Sequence, residues 1–162
     1  MTTPLIILCI LLIPLIAAWF FGGKHRAHFG GILGIFIAFC FFGVGHFVQT
    51  DAMIEMLPDF LPARRLLVLN TGVVEIAIGV GLLVPATRRF AGLTAIAVLI
   101  GFFPVNVYAA LNHTGMGGYV WGPEYLLIRL PLQVLLVAWT WIFVVRTKVE
   151  TRDLGKHVAI AE

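Results

Sequence analysis

Apolar and polar positions alternate along this chain in long blocks, without a short period. Five apolar stretches cover residues 4–21, 29–48, 66–84, 90–111 and 124–145, and short polar or glycine- and proline-bearing breaks separate them. Each is close to the roughly 20 residues that an α-helix needs to cross a hydrocarbon core about 30 Å thick. Because they are apolar around most of their circumference, they read as helices whose outer faces meet lipid. The expected fold is an all-α membrane protein with five spans, its connections too short to hold a soluble domain. The break at 50–65 contains Asp51, Glu55, Asp59, Arg64 and Arg65 among apolar residues, with Pro58 and Pro62. It is too polar and too kinked to span, and is expected to lie at the interface. Residues 112–123 read as a loop with Tyr119 and Trp121 as interfacial anchors.

Composition agrees with this pattern: 60% of the 162 residues are hydrophobic, 12% are charged, and the mean hydropathy is +1.02. These values lie far outside the range of soluble domains. The net charge of +3 does not point to nucleic acid, because the basic residues sit at the ends of apolar runs. They report topology instead. With five spans, Lys24, Arg26, Arg88, Arg89, Arg146, Lys148, Arg152 and Lys156 fall on one side, Arg64 and Arg65 on the other, and Arg129 within the fifth run. This asymmetry predicts an external amino terminus and a cytoplasmic carboxyl terminus, in a plasma or bacterial inner membrane. The first run lacks the basic start of a signal peptide and reads as a retained helix. The organisation expected is a transmembrane helix at 1–22, a four-helix core at 29–145 and a cytoplasmic polar tail at 146–162. Cys9 and Cys40 lie inside apolar runs and read as small buried hydrophobes.

Polar residues inside the spans carry the candidate chemistry, since an ionisable group in hydrocarbon costs several kcal/mol unless it is partnered. Glu75 lies about 14 Å into the third span. Thr71, Gly72 and Gly79 fall on its face, and that small-residue stripe turns Glu75 toward other helices. Arg129 enters the fifth span with Tyr125 and Gln133 a turn to either side. His46, Asn70, Glu75, Asn106, Arg129 and Gln133 all fall in the same half of the membrane, which predicts a polar pocket open to the outer side. No spacing of a metal site, a haem ligand pair or a nucleophile with its base occurs among them. At each residue a structural role, such as an ion pair between Glu75 and Arg129 or interhelical hydrogen bonds from the asparagines, stands beside ligand contact.

Gly45-His46-Phe47, Leu61-Pro62, the run from Asn70 to Gly92 (NTGVVEIAIGVGLLVPATRRFAG), Phe103-Pro104-Val105-Asn106-Val107, and Arg129-Leu130-Pro131-Leu132-Gln133 with Trp139 together resemble the DoxX-like family of small membrane proteins. The resemblance spans residues 29–145 and implies a four-helix bundle, to which the first helix is an addition. It implies no single reaction, because that family includes subunits linked to quinone-dependent sulfur oxidation, proteins of thiol or quinone stress, and assembly chaperones. Glu75, Asn106 and Arg129, with His46, match its polar core. The chain lacks the cysteine pair of disulfide-handling relatives.

Two functions follow as expectations. One is a pocket for a lipophilic molecule, a quinone or a lipid, in a redox or stress process: Arg129, Asn106 and His46 would hydrogen-bond the head group, and Glu75 would handle a proton. The other is a non-enzymatic assembly factor, held together by Glu75 and Arg129, that recruits a partner's membrane helix through small-residue faces such as Gly30/Gly34 and Ala77/Gly81. Transport fits less well, since no inverted repeat is visible.

Overall fold

The structure is a computed structural model that describes residues 2–146, without the side chains of 24 and 25. The tail at 147–162, including Lys148, Arg152 and Lys156, lies outside the described residues. Five helices are long and apolar enough to cross a membrane, and no strand occurs among the described residues. The first two, α1 (Thr2–Gly23) and α2 (Arg26–Val48), run into one another through a kink at Gly23, whose φ of 64° only glycine adopts readily. A short helix, α3 (Thr50–Glu55), lies in the polar break. Then come α4 (Arg64–Leu83) and α5 (Arg88–Leu111). A 3₁₀ segment, Gly117–Tyr125, leads into α6 (Leu126–Thr140), whose last residues, Trp141–Val145, widen into a π turn.

Bare backbone lets these helices meet closely. α1 and α2 form an antiparallel hairpin in which a Cβ added to Gly30 would lie 2.5 Å from the Pro14 carbonyl, and one added to Gly34 would lie 2.9 Å from that of Leu11. The four-residue spacing therefore serves the α1–α2 contact. On the other side of α2, Gly43 and Gly72 oppose one another: a Cβ on Gly43 would approach the Gly72 carbonyl to 2.8 Å. The main core fills the space between the spans with Ile7 and Leu11 of α1, Ile35 and Phe39 of α2, Leu82 of α4, Ala95 of α5 and Leu136 of α6. Trp139 ties α6 to α2 by donating its indole N–H to the Gly31 carbonyl at 2.9 Å.

The two ends of the bundle differ. At the turn end, between α4 and α5, Arg88 donates to the carbonyls of Leu82 (2.9 Å) and Leu83 (3.1 Å), and Thr87 to that of Gly81 (2.9 Å). These side chains satisfy carbonyls that the end of α4 leaves open. At the loop end, Arg64 pairs with Asp59 (2.6 Å) and Arg65 with Asp51 (3.4 Å). The stretch read as a loop is ordered into the 3₁₀ segment. Tyr119 is buried beneath it with Tyr125, against Met56, Ala109 and Ala110, while Trp121 is exposed. The interfacial-anchor reading therefore fails for Tyr119, because its ring packs on Tyr125 with centroids 4.9 Å apart.

Replacing Gly30 with valine puts three carbons into a space that cannot hold one. It is expected to lower stability by about 1–3 kcal/mol, as overpacking does. Thermal unfolding in detergent measures this, with Gly101→Val, at a position open to its surroundings, as the comparison.

Candidate functional site

Glu75 sits midway along α4, which it buries against α2. The glycines on its face set the distance. A Cβ on Gly72 would lie 2.7 Å from Cβ of His46, and one on Gly79 would lie 3.3 Å from the Cys40 sulfur. With no side chain at Gly72, His46 settles on α4 and its Nε2 comes to 3.3 Å from Oε2 of Glu75. That oxygen makes no aligned hydrogen bond, so the approach is electrostatic. The other imidazole nitrogen, Nδ1, lies 3.2 Å from Oγ1 of Thr71.

Hydrogen-bond accounting assigns the protons in this group. The Thr71 hydroxyl donates within its own helix, to the carbonyls of Val68 (2.7 Å) and Leu67 (2.9 Å). Its oxygen is then left to accept from Nδ1–H of His46. A neutral imidazole so oriented turns the lone pair of Nε2 toward Glu75, and two lone pairs repel. The contact is favourable only with a proton on one partner, as imidazolium beside carboxylate or imidazole beside carboxylic acid. The imidazole is fixed at its backbone too, since Thr50 donates to the His46 carbonyl at 2.7 Å where α2 ends.

A second group lies between α5, the 3₁₀ segment and α6. Asn106 is buried on α5, two residues past Pro104, and accepts a hydrogen bond from the Tyr119 hydroxyl at 2.7 Å. The guanidinium of Arg129, on α6, faces the same hydroxyl. Its Nε is buried without a partner. The fold of the segment brings Tyr119 inward: Gly122, at φ 72°, packs against the ring of His113 so closely that a Cβ there would lie 2.2 Å from it. One turn along α6, Gln133 donates to the Leu99 carbonyl of α5. This is the neighbour of Ile100, whose carbonyl loses its helical donor to Pro104.

The residues expected from sequence therefore divide. His46 and Glu75 meet, Asn106 and Arg129 meet through Tyr119, and Gln133 bridges α5 and α6. The ion pair between Glu75 and Arg129 does not form: histidine takes the carboxyl group and tyrosine takes the guanidinium. Asn70 is exposed on α4, outside both groups, because it sits a step around the helix from Thr71 and Glu75. Tyr119 is the residue that sequence reasoning missed. The one signal for it was the absence of lysine and arginine from 112–123, a loop that pays no desolvation cost for folding into the bundle.

Two open apolar grooves lie on the outer surface, one between α1 and α2 and one between α5 and α6. Neither is lined by His46, Glu75, Asn106 or Arg129, although Gln133 forms part of the second. No group of His, Cys, Asp and Glu suited to a metal occurs among the described residues.

A family model described as Domain of unknown function (DUF8561) matches residues 35–144. The match begins within α2 and leaves out α1. No curated protein and no solved structure matches the chain.

Changing His46 or Glu75 alone to leucine is expected to destabilise the bundle, and changing both to cost less than the sum, with a coupling of about 1–3 kcal/mol. A double-mutant cycle followed by thermal unfolding gives this number. A cycle between Glu75 and Arg129 is expected to close near zero.

Proposed function

The chain belongs to the DUF8561 family of domains of unknown function, and we propose that it is a membrane-embedded binding protein for a lipophilic small molecule, a quinone or a lipid, whose polar head enters the loop-end half of the bundle. Arg129 carries this reading. Its guanidinium lies within a membrane span, touches a phenol and no carboxylate, and keeps a buried N–H without an acceptor. An arginine in that setting gains about 1.5–3 kcal/mol from an oxygen acceptor that arrives with a ligand.

In this reading Arg129 binds a carbonyl or anionic oxygen of the head, and Tyr119 and Asn106 fix its orientation. His46 and Glu75, 3.3 Å apart, put an ionisable pair in the same half of the protein. We further propose that the four-helix core is DoxX-like, that the process it serves is a redox or stress response, and that the loop end faces outward, with the amino terminus outside and the carboxyl terminus in the cytoplasm of a plasma or inner membrane. The placing of Arg88 and Arg89 with Lys24 and Arg26 at the turn end, against Arg64 and Arg65 at the loop end, supports that sidedness. The alternative, an assembly factor, keeps less support because α1 already occupies the Gly30/Gly34 face.

In vesicles, a photoreactive quinone or lipid analogue is expected to label the segment around 106–129. Arg129→Ala is expected to reduce that labelling about tenfold, the weight of one lost hydrogen bond to a charged group. Equal labelling of the variant by both analogues would remove the proposal. For sidedness, a membrane-impermeant maleimide is expected to modify Asn112→Cys, exposed at the loop end, in intact cells and Arg89→Cys only after lysis.

A further inference from the structure

Arg129 begins a row along α6. Residues four apart form a ridge on a helix surface, and the row from Arg129 runs through Gln133, Val137 and Trp141. The last three line the open groove between α5 and α6, with Ile96 and Ile100 on the opposite wall. From Arg129 to Trp141 the ridge extends about 18 Å at helical rise, which is comparable to an acyl chain. The groove walls are almost wholly apolar, and Ile100 and Trp141 are exposed to the surroundings, which in a membrane are lipid tails. A positive group at one end of an apolar channel is the layout of an acidic amphiphile.

Charge decides which amphiphile fits. Glu75 is engaged by His46, and no acidic side chain lies within ion-pairing distance of Arg129 among the described residues. A neutral or zwitterionic head would leave that cation uncompensated in a medium of low dielectric, whereas an acidic head removes the imbalance. Resting on the reading of Arg129 given above, we propose that this site takes a lipid of the surrounding bilayer with an acidic head group, the head against Arg129 and one acyl chain laid along the groove of Ile96, Ile100, Val137 and Trp141. Gln133 holds the inner wall in place through its hydrogen bond to the Leu99 carbonyl.

The test is native mass spectrometry of the full chain released from discs of phosphatidylcholine containing a minor fraction of phosphatidate. One phosphatidate is expected to stay with each chain, enriched over phosphatidylcholine. Arg129→Gln is expected to lower its retention about tenfold, Arg129→Lys to keep most of it, and Arg89→Gln at the turn end to leave it unchanged. Ala138→Trp fills the groove on an exposed face without touching the arginine, and is expected to release the lipid as well. If Arg129→Gln fails to fold, Ala138→Trp and the enrichment in the unchanged protein decide. Equal retention of the two lipids, full retention by Ala138→Trp, or displacement by inorganic phosphate alone would overturn the proposal. Should the lipid fail while an uncharged quinone analogue still labels the site in an Arg129-dependent manner, the acidic head is wrong and the wider reading stands. Failure of both removes both.

Discussion

A carboxyl group halfway through a bilayer must meet a partner that can share its charge or its proton, and the packing of this bundle follows from how Glu75 does so. Its partner stands on α2, so α2 and α4 must come closer than ordinary side chains allow. Gly43 and Gly72 remove the side chains that would hold them apart. Once those two helices are in contact, the opposite face of α2 is free to take α1 on Gly30 and Gly34, and its carbonyl at Gly31 is open to the indole of Trp139. The central helix is thus bare backbone on one face toward each neighbour. Substituting hydrocarbon for the polar contact would keep the apolar character of the interface but lose the reason for its register.

The same logic explains why the polar groups divide in two. A pair of opposite charges would have been satisfied by bringing α4 to α6. Instead, histidine and tyrosine act as partners that can donate or accept according to need, and each cluster is built locally. The consequence for electrostatics is that one cluster is closed and the other is open. His46 closes on both Thr71 and Glu75, although Oε2 of Glu75 accepts no aligned hydrogen bond, while Arg129 is left with a donor to spare and no carboxylate. In the proposed reading, binding chemistry belongs to the second.

Much of this was legible in the sequence, because a bilayer imposes its thickness on the chain. The five helices appear within a few residues of the apolar runs, and the inward turn of Glu75 followed from the glycines and threonine beside it. What was not legible depended on pairing between distant segments. Nothing local to His46 says that it reaches α4, and formal charge alone favoured an ion pair of Glu75 with Arg129. Asn70 shows the limit of depth arguments: it lies at the expected level, yet one step around the helix from Thr71 it meets the outside of the bundle. Tyr119 was misplaced because its surroundings are glycines, whose conformations the sequence does not reveal. The positive φ at Gly117 and Gly122 folds that segment back under the loop end.

The ends of α4 carry a further consequence. Arg64 and Arg65 stand at its first turn, and Arg88 is fastened to its last carbonyls, so charged groups bracket a helix of 20 residues, about 30 Å long. α5, at 24 residues, is about 36 Å and can lean to fit. α4 has no such latitude, because its bracketing arginines would be drawn into hydrocarbon if the membrane thickened. The mismatch would cost fractions of a kcal/mol for each ångström, so this helix acts as a ruler that biases the protein toward bilayers near its own length.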